Sequence, residues 1–130
     1  MDIFSSFATD ETLETEGKWF PLSKTASIRV ARSGNPKYKA LIRKKLQEAQ
    51  LDLATGEEGE QLAENVMVEV MAETILLDWK GLTYQGKEAA YSIEMAKTFL
   101  RIKDFMKKVQ GLSDNFESFK LKAEVEQKND

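Results

Sequence analysis

Glu57, Glu60, Glu73 and Asp78 are the side chains whose type and spacing first suggest chemistry. A helical metal-dependent pyrophosphohydrolase sets Glu-x-x-Glu on one helix and Glu-x-x-Asp on the next, so that four carboxylates converge on Mg²⁺. Glu57 and Glu60 have the first spacing, but Gly59 and an expected inter-helix turn fall among them. Glu73 and Asp78 are five apart, which on a helix places them about 140° from each other. Carboxylates that cannot face one ion make no site. The sequence has no Cys and no His, which removes thiol nucleophiles, imidazole acid-base catalysis, disulfides, Cys/His zinc sites and His-ligated haem. Gly34, Gly56, Gly59, Gly81 and Gly86 stand outside any phosphate-loop or dinucleotide pattern. Nothing indicates the aromatic-lined cleft that a glycosidase carboxylate pair needs. The expectation is a protein that is not an enzyme and uses no metal or cofactor.

Charge is laid out in blocks. Lys24–Lys45 holds eight basic residues and no acid, and Leu46–Asp78 holds nine acids and no base. Fields of this size must meet, either between neighbouring elements of one molecule or head to tail between copies in a homo-oligomer. The basic block includes Arg29 and Arg32 on an expected strand and Lys37, Arg43 and Lys44 on the helix after it. Such a stripe suits phosphate, so a nucleic-acid-binding phage or bacterial regulatory protein using residues 24–45 is the alternative function. Against it, the acidic block follows at once and the sequence pI is about 5.2.

A chain of 130 residues supports one domain. The expected fold is mainly α, about four helices with an N-terminal β-hairpin. Residues 1–16 read as a flexible acidic arm around Phe4, Phe7 and Leu13, and residues 17–125 as the helical domain, followed by a polar tail at 126–130. The hairpin occupies 18–32, with Pro21 confining its first strand to an edge. Asn35-Pro36 marks a helix start, because Asn caps free amides while Pro at the first helical position lacks a donor. A second helix is expected over about Glu60–Trp79. It is apolar on two sides: Ala63, Val66, Val70 and Leu77 share one sector, and Val68, Met71, Ala72, Ile75 and Trp79 the other. Such a helix is either central in the core or turns one sector toward a partner. Val68, Met71 and Ile75 are the candidates for that partner face, while Trp79 and Pro36 read as structural. Gly81 and Gly86 bracket a turn. Ser92 caps a third helix, Ile93–Gln110, with Gly111 past its end, and Asp114 with Glu117 opens a last one. No apolar run approaches the ~18 residues that span a bilayer, so the expected setting is the cytosol, with no membrane partner.

Several pieces, taken in order, resemble the tail assembly chaperones of long-tailed, lambda-like bacteriophages. They are Trp19-Phe20-Pro21, Arg29-Val30-Ala31-Arg32, Asn35-Pro36-Lys37-Tyr38 and Leu77-Asp78-Trp79-Lys80-Gly81-Leu82, followed by Gly86-Lys87, Tyr91-Ser92-Ile93-Glu94, Asp104-Phe105 with Val109, and Asn115-Phe116. Their joint order from about Gly17 to Phe119 carries the resemblance. The acidic arm and the insert around Gly56–Gly59 stand outside it. The resemblance implies a non-enzymatic, non-virion morphogenesis factor. It would bind the tape measure protein, keep it soluble and help tail tube subunits polymerise around it. It further implies a short product, with the major tail tube protein engaged mainly through a longer frameshifted form.

Overall fold

The computed structural model describes residues 1–49 and 56–122. Helices dominate, but the fold is mixed: seven helices among the described residues surround a three-stranded antiparallel sheet and a two-stranded ribbon. The expected hairpin is present. Strands β1 (Lys18–Pro21) and β2 (Ser27–Val30) pair antiparallel, with Phe20 opposite Ile28, across a turn in which the Ser23 hydroxyl accepts the Thr25 and Ala26 amides. β1 lies at the sheet edge, where the missing amide of Pro21 costs no ladder bond.

Helix α3 (Pro36–Ala49) starts where Asn35-Pro36 predicts. Asn35 Oδ1 accepts the Tyr38 amide at 3.0 Å. Helix α4 (Glu57–Thr74) runs through the middle of the domain, packed between α3 and the helices that follow it, which is why it is apolar on two sides. The expected continuation to Trp79 is corrected here. The Thr74 hydroxyl bonds back to the Val70 carbonyl at 2.7 Å, and the chain then enters strand β3 (Leu76–Lys80). β3 pairs with β2, Ile28 opposite Trp79 and Arg29 opposite Asp78, but the next pair is Val30 with Leu76. Leu77 is therefore the extra residue of a bulge. The bulge puts Leu76 and Trp79, three apart, on the buried side of the sheet. That spacing imitates a helix, so the apolar pattern alone extends the helical phase into a strand.

Gly81 (φ +76°) turns the chain into the ribbon β4 (Thr83–Tyr84) and β5 (Lys87–Glu88), whose Gln85-Gly86 turn has positive φ at both residues as a tight hairpin requires. The expected helix Ile93–Gln110 is two: α5 (Ile93–Leu100), capped by Ser92, and α6 (Lys103–Asp114), separated by an extended Ile102. The last expected helix is a single turn, α7 (Phe116–Phe119), capped by Asn115 rather than Asp114. Residues 1–16, expected as a flexible arm, form α1 (Ile3–Phe7) and α2 (Glu11–Glu16), whose first amides are accepted by Asp2 and Asp10. Their outlet is the far end of the chain: Thr9 pairs with Lys120, and the Asp10 amide donates to the Phe119 carbonyl at 2.9 Å. The tail 126–130 lies outside the described residues.

Trp79 belongs to the buried core cluster. It is buried, its Nε1–H donates to the Ala89 carbonyl at 2.7 Å, and its ring meets Tyr91 and Phe99 at centroid distances of 4.8 and 5.1 Å. Tyr91 spans the helix-to-strand junction, its hydroxyl donating to the Leu76 carbonyl at 2.8 Å. Burial, with the nearby Asp78 charge, pushes its phenol above the usual value of 10.0.

Trp79→Ala is expected to lose about 3–5 kcal/mol in denaturant titration, the range for truncating a buried aromatic. Glycine substitutions separate two effects. A Cβ at Gly81 would strike the Thr25 carbonyl, whereas one at Gly86 meets open space, though both have positive φ. Gly86→Ala should cost about 1–2 kcal/mol from its left-handed backbone, and Gly81→Ala clearly more; equal losses would contradict the close approach.

Candidate protein-binding surface

α3 divides its residues cleanly. Tyr38, Leu41, Ile42 and Lys45 face inward to varying degrees, and Lys45 Nζ reaches Glu69 on α4 at 2.9 Å. Hydrogen bonding to that carboxylate, then its charge, holds the Lys45 ammonium above its ordinary 10.5. Part of the opposed charge is thus neutralised within one molecule. The opposite face is different. Lys37, Arg43 and Lys44 are exposed, and none makes an ion pair among the described residues. Lys37 and Lys44, two turns apart, share one side of the helix, with Arg43 flanking it. Leu46, 53% exposed, lies on the other flank of the helix, about 180° around from Lys37.

The strand arginines expected to extend this stripe do not join it. Arg29 is half-buried in the middle strand, and its Nε is enclosed with no hydrogen-bond partner. Arg32 is committed to the fold: it bonds Glu14 of α2 at 3.1 Å, and its guanidinium lies 5.8 and 6.0 Å from the Phe116 and Phe119 ring centroids. Clefts beside these residues carry mixed charge. One, about 600 Å³, sets Glu11, Glu14 and Glu16 against Lys37 and Lys39; a neighbour of about 460 Å³ sets Arg29 and Lys37 against Glu16 and Glu73.

Val68, Met71 and Ile75, expected at a partner face, are buried in the core and present no surface. They are covered because α3 and α5 flank α4 and the sheet closes its C-terminal end. The apolar opening lies elsewhere, between α4 and the α5–α6 corner. Met67, Leu100 and Met106 line a groove of about 230 Å³, rimmed by Arg101, Lys103 and Lys107 with Glu64 opposite. A cavity of about 60 Å³ continues it inward past Met67 and Gln110 to Tyr38. The sequence reading gives neither Met67 nor Met106 a role in binding. The available signal is Lys103 and Lys107 bracketing a methionine on one helix face.

Of the carboxylates considered for a metal, Glu57 and Glu60 open α4, Glu73 is near its other end, and Asp78 is on β3 facing Arg29. Among the described residues no cluster of three potential metal ligands forms, and no helix is long and apolar enough to cross a membrane.

A scan against protein-family models matches residues 33–129 to the YdaY prophage protein family. Searches of the curated proteins and of the solved structures return no match.

Reversing Arg32 to Glu should destabilise the fold by about 1–3 kcal/mol, as expected for disrupting a partly buried network. Reversing Lys37, Arg43 and Lys44 should change stability by no more than about 0.5 kcal/mol each. Thermal melts of the two variants decide this. A stable Arg32→Glu protein would return that residue to the surface available for binding.

Proposed function

We propose a role that starts from family membership: the chain belongs to the YdaY prophage protein family, a phage-derived group, and acts as a non-enzymatic tail assembly chaperone. In this reading it binds the tape measure protein in the host cytoplasm, keeps it soluble and helps tail tube subunits polymerise around it. It represents the short product, and a longer frameshifted form engages the tube protein. The resemblance running from about Gly17 to Phe119 supplies the class. The observation that carries a binding rather than a catalytic role is the free basic face of α3. Lys37, Arg43 and Lys44 make no ion pairs among the described residues, so their charge is available to a partner. A long helical client with acidic residues beside its apolar stripe would meet these cations.

The same face gives nucleic-acid binding as a second reading, favoured by the absence of any acid from Lys24 to Lys45. The acidic residues of α4 next to it, Glu69 and Glu73 among them, oppose polyanion approach.

Coexpression with a tape measure fragment tests the proposal. The triple variant Lys37→Glu, Arg43→Glu, Lys44→Glu should fold normally yet lower soluble recovery of the fragment several-fold. Recovery equal to wild type would remove α3 as the client face. Tight, salt-dependent binding to duplex DNA, lost in the same variant, would favour the second reading.

A further inference from the structure

α1 carries the most exposed aromatic among the described residues. Ile3, Phe4 and Phe7 are 60, 84 and 55% exposed, and no residue of the helix is buried. Apolar side chains scattered singly over a surface need no explanation, but three on one five-residue helix do. α1 is also held in place. The Phe7 ring meets Phe116 at 5.6 Å, and the Leu121 amide donates to the Ala8 carbonyl at 2.9 Å. It is a fixed projection beside α7.

The groove between α4 and α6 is complementary to it. At about 230 Å³ it falls below the roughly 300–1,000 Å³ of small-molecule pockets, a size suited to a single large side chain. Met67 and Met106 give it adaptable walls that favour aromatic contact. Charge matches as well: residues 1–17 contain five acids and no base, while the rim sets Arg101, Lys103 and Lys107 against a single acid, Glu64. We propose that α1 of one copy seats Phe4 in the α4–α6 groove of a second copy.

The two surfaces lie toward opposite ends of α6. Met106 is near its start and Phe116 just past its end, about 15 Å apart at 1.5 Å per residue. A chain cannot fill its own groove without breaking the pairing of Thr9 with Lys120 and of Asp10 with Phe119. The contact joins two different surfaces; where it repeats head to tail it leaves a free projection at one end and a free groove at the other, and copies add into a ring or an open filament. Attraction between the acidic segment and the cationic rim makes it salt-sensitive. The inference does not depend on which client α3 binds.

Sedimentation velocity of the full chain over a concentration series tests it. Wild type should associate at low salt and dissociate as salt rises. Phe4→Asp, and separately Lys103→Glu with Lys107→Glu, should each weaken association by about tenfold or more; all these positions are exposed, and melting curves like wild type will show that the variants are folded. An equimolar mixture of the two variants retains one intact contact and should form dimers that grow no further. Wild type that stays monomeric, variants that associate as wild type does, or a mixture that stays monomeric would each overturn the proposal.

Discussion

The side-chain amide of Asn35 is the contact on which the arrangement of this domain turns. It is buried, and its nitrogen donates to the Arg32 carbonyl at 2.8 Å and the Thr74 carbonyl at 3.3 Å, while its oxygen caps α3. One side chain thereby joins the exit of β2, the C-terminus of α4 and the N-terminus of α3. The neighbouring bonds reinforce the same point: the Ala31 amide reaches the Ile75 carbonyl at 2.8 Å, and the Ser113 hydroxyl reaches the Ala31 carbonyl at 2.9 Å. Buried backbone groups left without such partners would each cost about 1–3 kcal/mol. The junction fixes the directions in which α3, α4 and β3 leave it, and so determines that the basic face of α3 points outward and that Val68 and Met71 point inward.

Features set by local chemistry were legible in the sequence. The hairpin follows from alternation and from Pro21, the start of α3 from Asn35-Pro36, and the cap of α5 from Ser92. What depends on tertiary pairing was not. β3 is hidden because a bulge at Leu77 converts strand alternation into a spacing of three. The break between α5 and α6 has no glycine or proline to announce it; Ile102 simply leaves helical geometry. The helices of residues 1–16 were missed although Asp2 and Asp10 are ordinary caps, because elements this short are held by α7 and the C-terminal segment rather than by their own periodicity.

The candidate surface was legible in the same partial way. Exposure of Lys37, Arg43 and Lys44 follows from helical phase alone. The commitment of Arg32 to Glu14 and two phenylalanines joins residues far apart in sequence, and no pattern along the chain points to it. The charge blocks likewise divide: Lys45 with Glu69 ties α3 to α4, while Lys37, Arg43 and Lys44 of the same helix make no ion pair among the described residues.

Contact between the two ends of the chain has a consequence for synthesis. Lys18 Nζ donates to the Ser118 carbonyl, 100 residues along, and the first two helices rest on the same segment. On a ribosome, residues 1–16 leave the exit tunnel long before their partners exist, so Phe7 lacks its contact with Phe116 and Leu13 its place against the core until α7 has emerged. The sheet, complete once Lys80 has emerged, can form earlier. Docking of residues 1–16 against α7 is thus a later event than closure of the sheet.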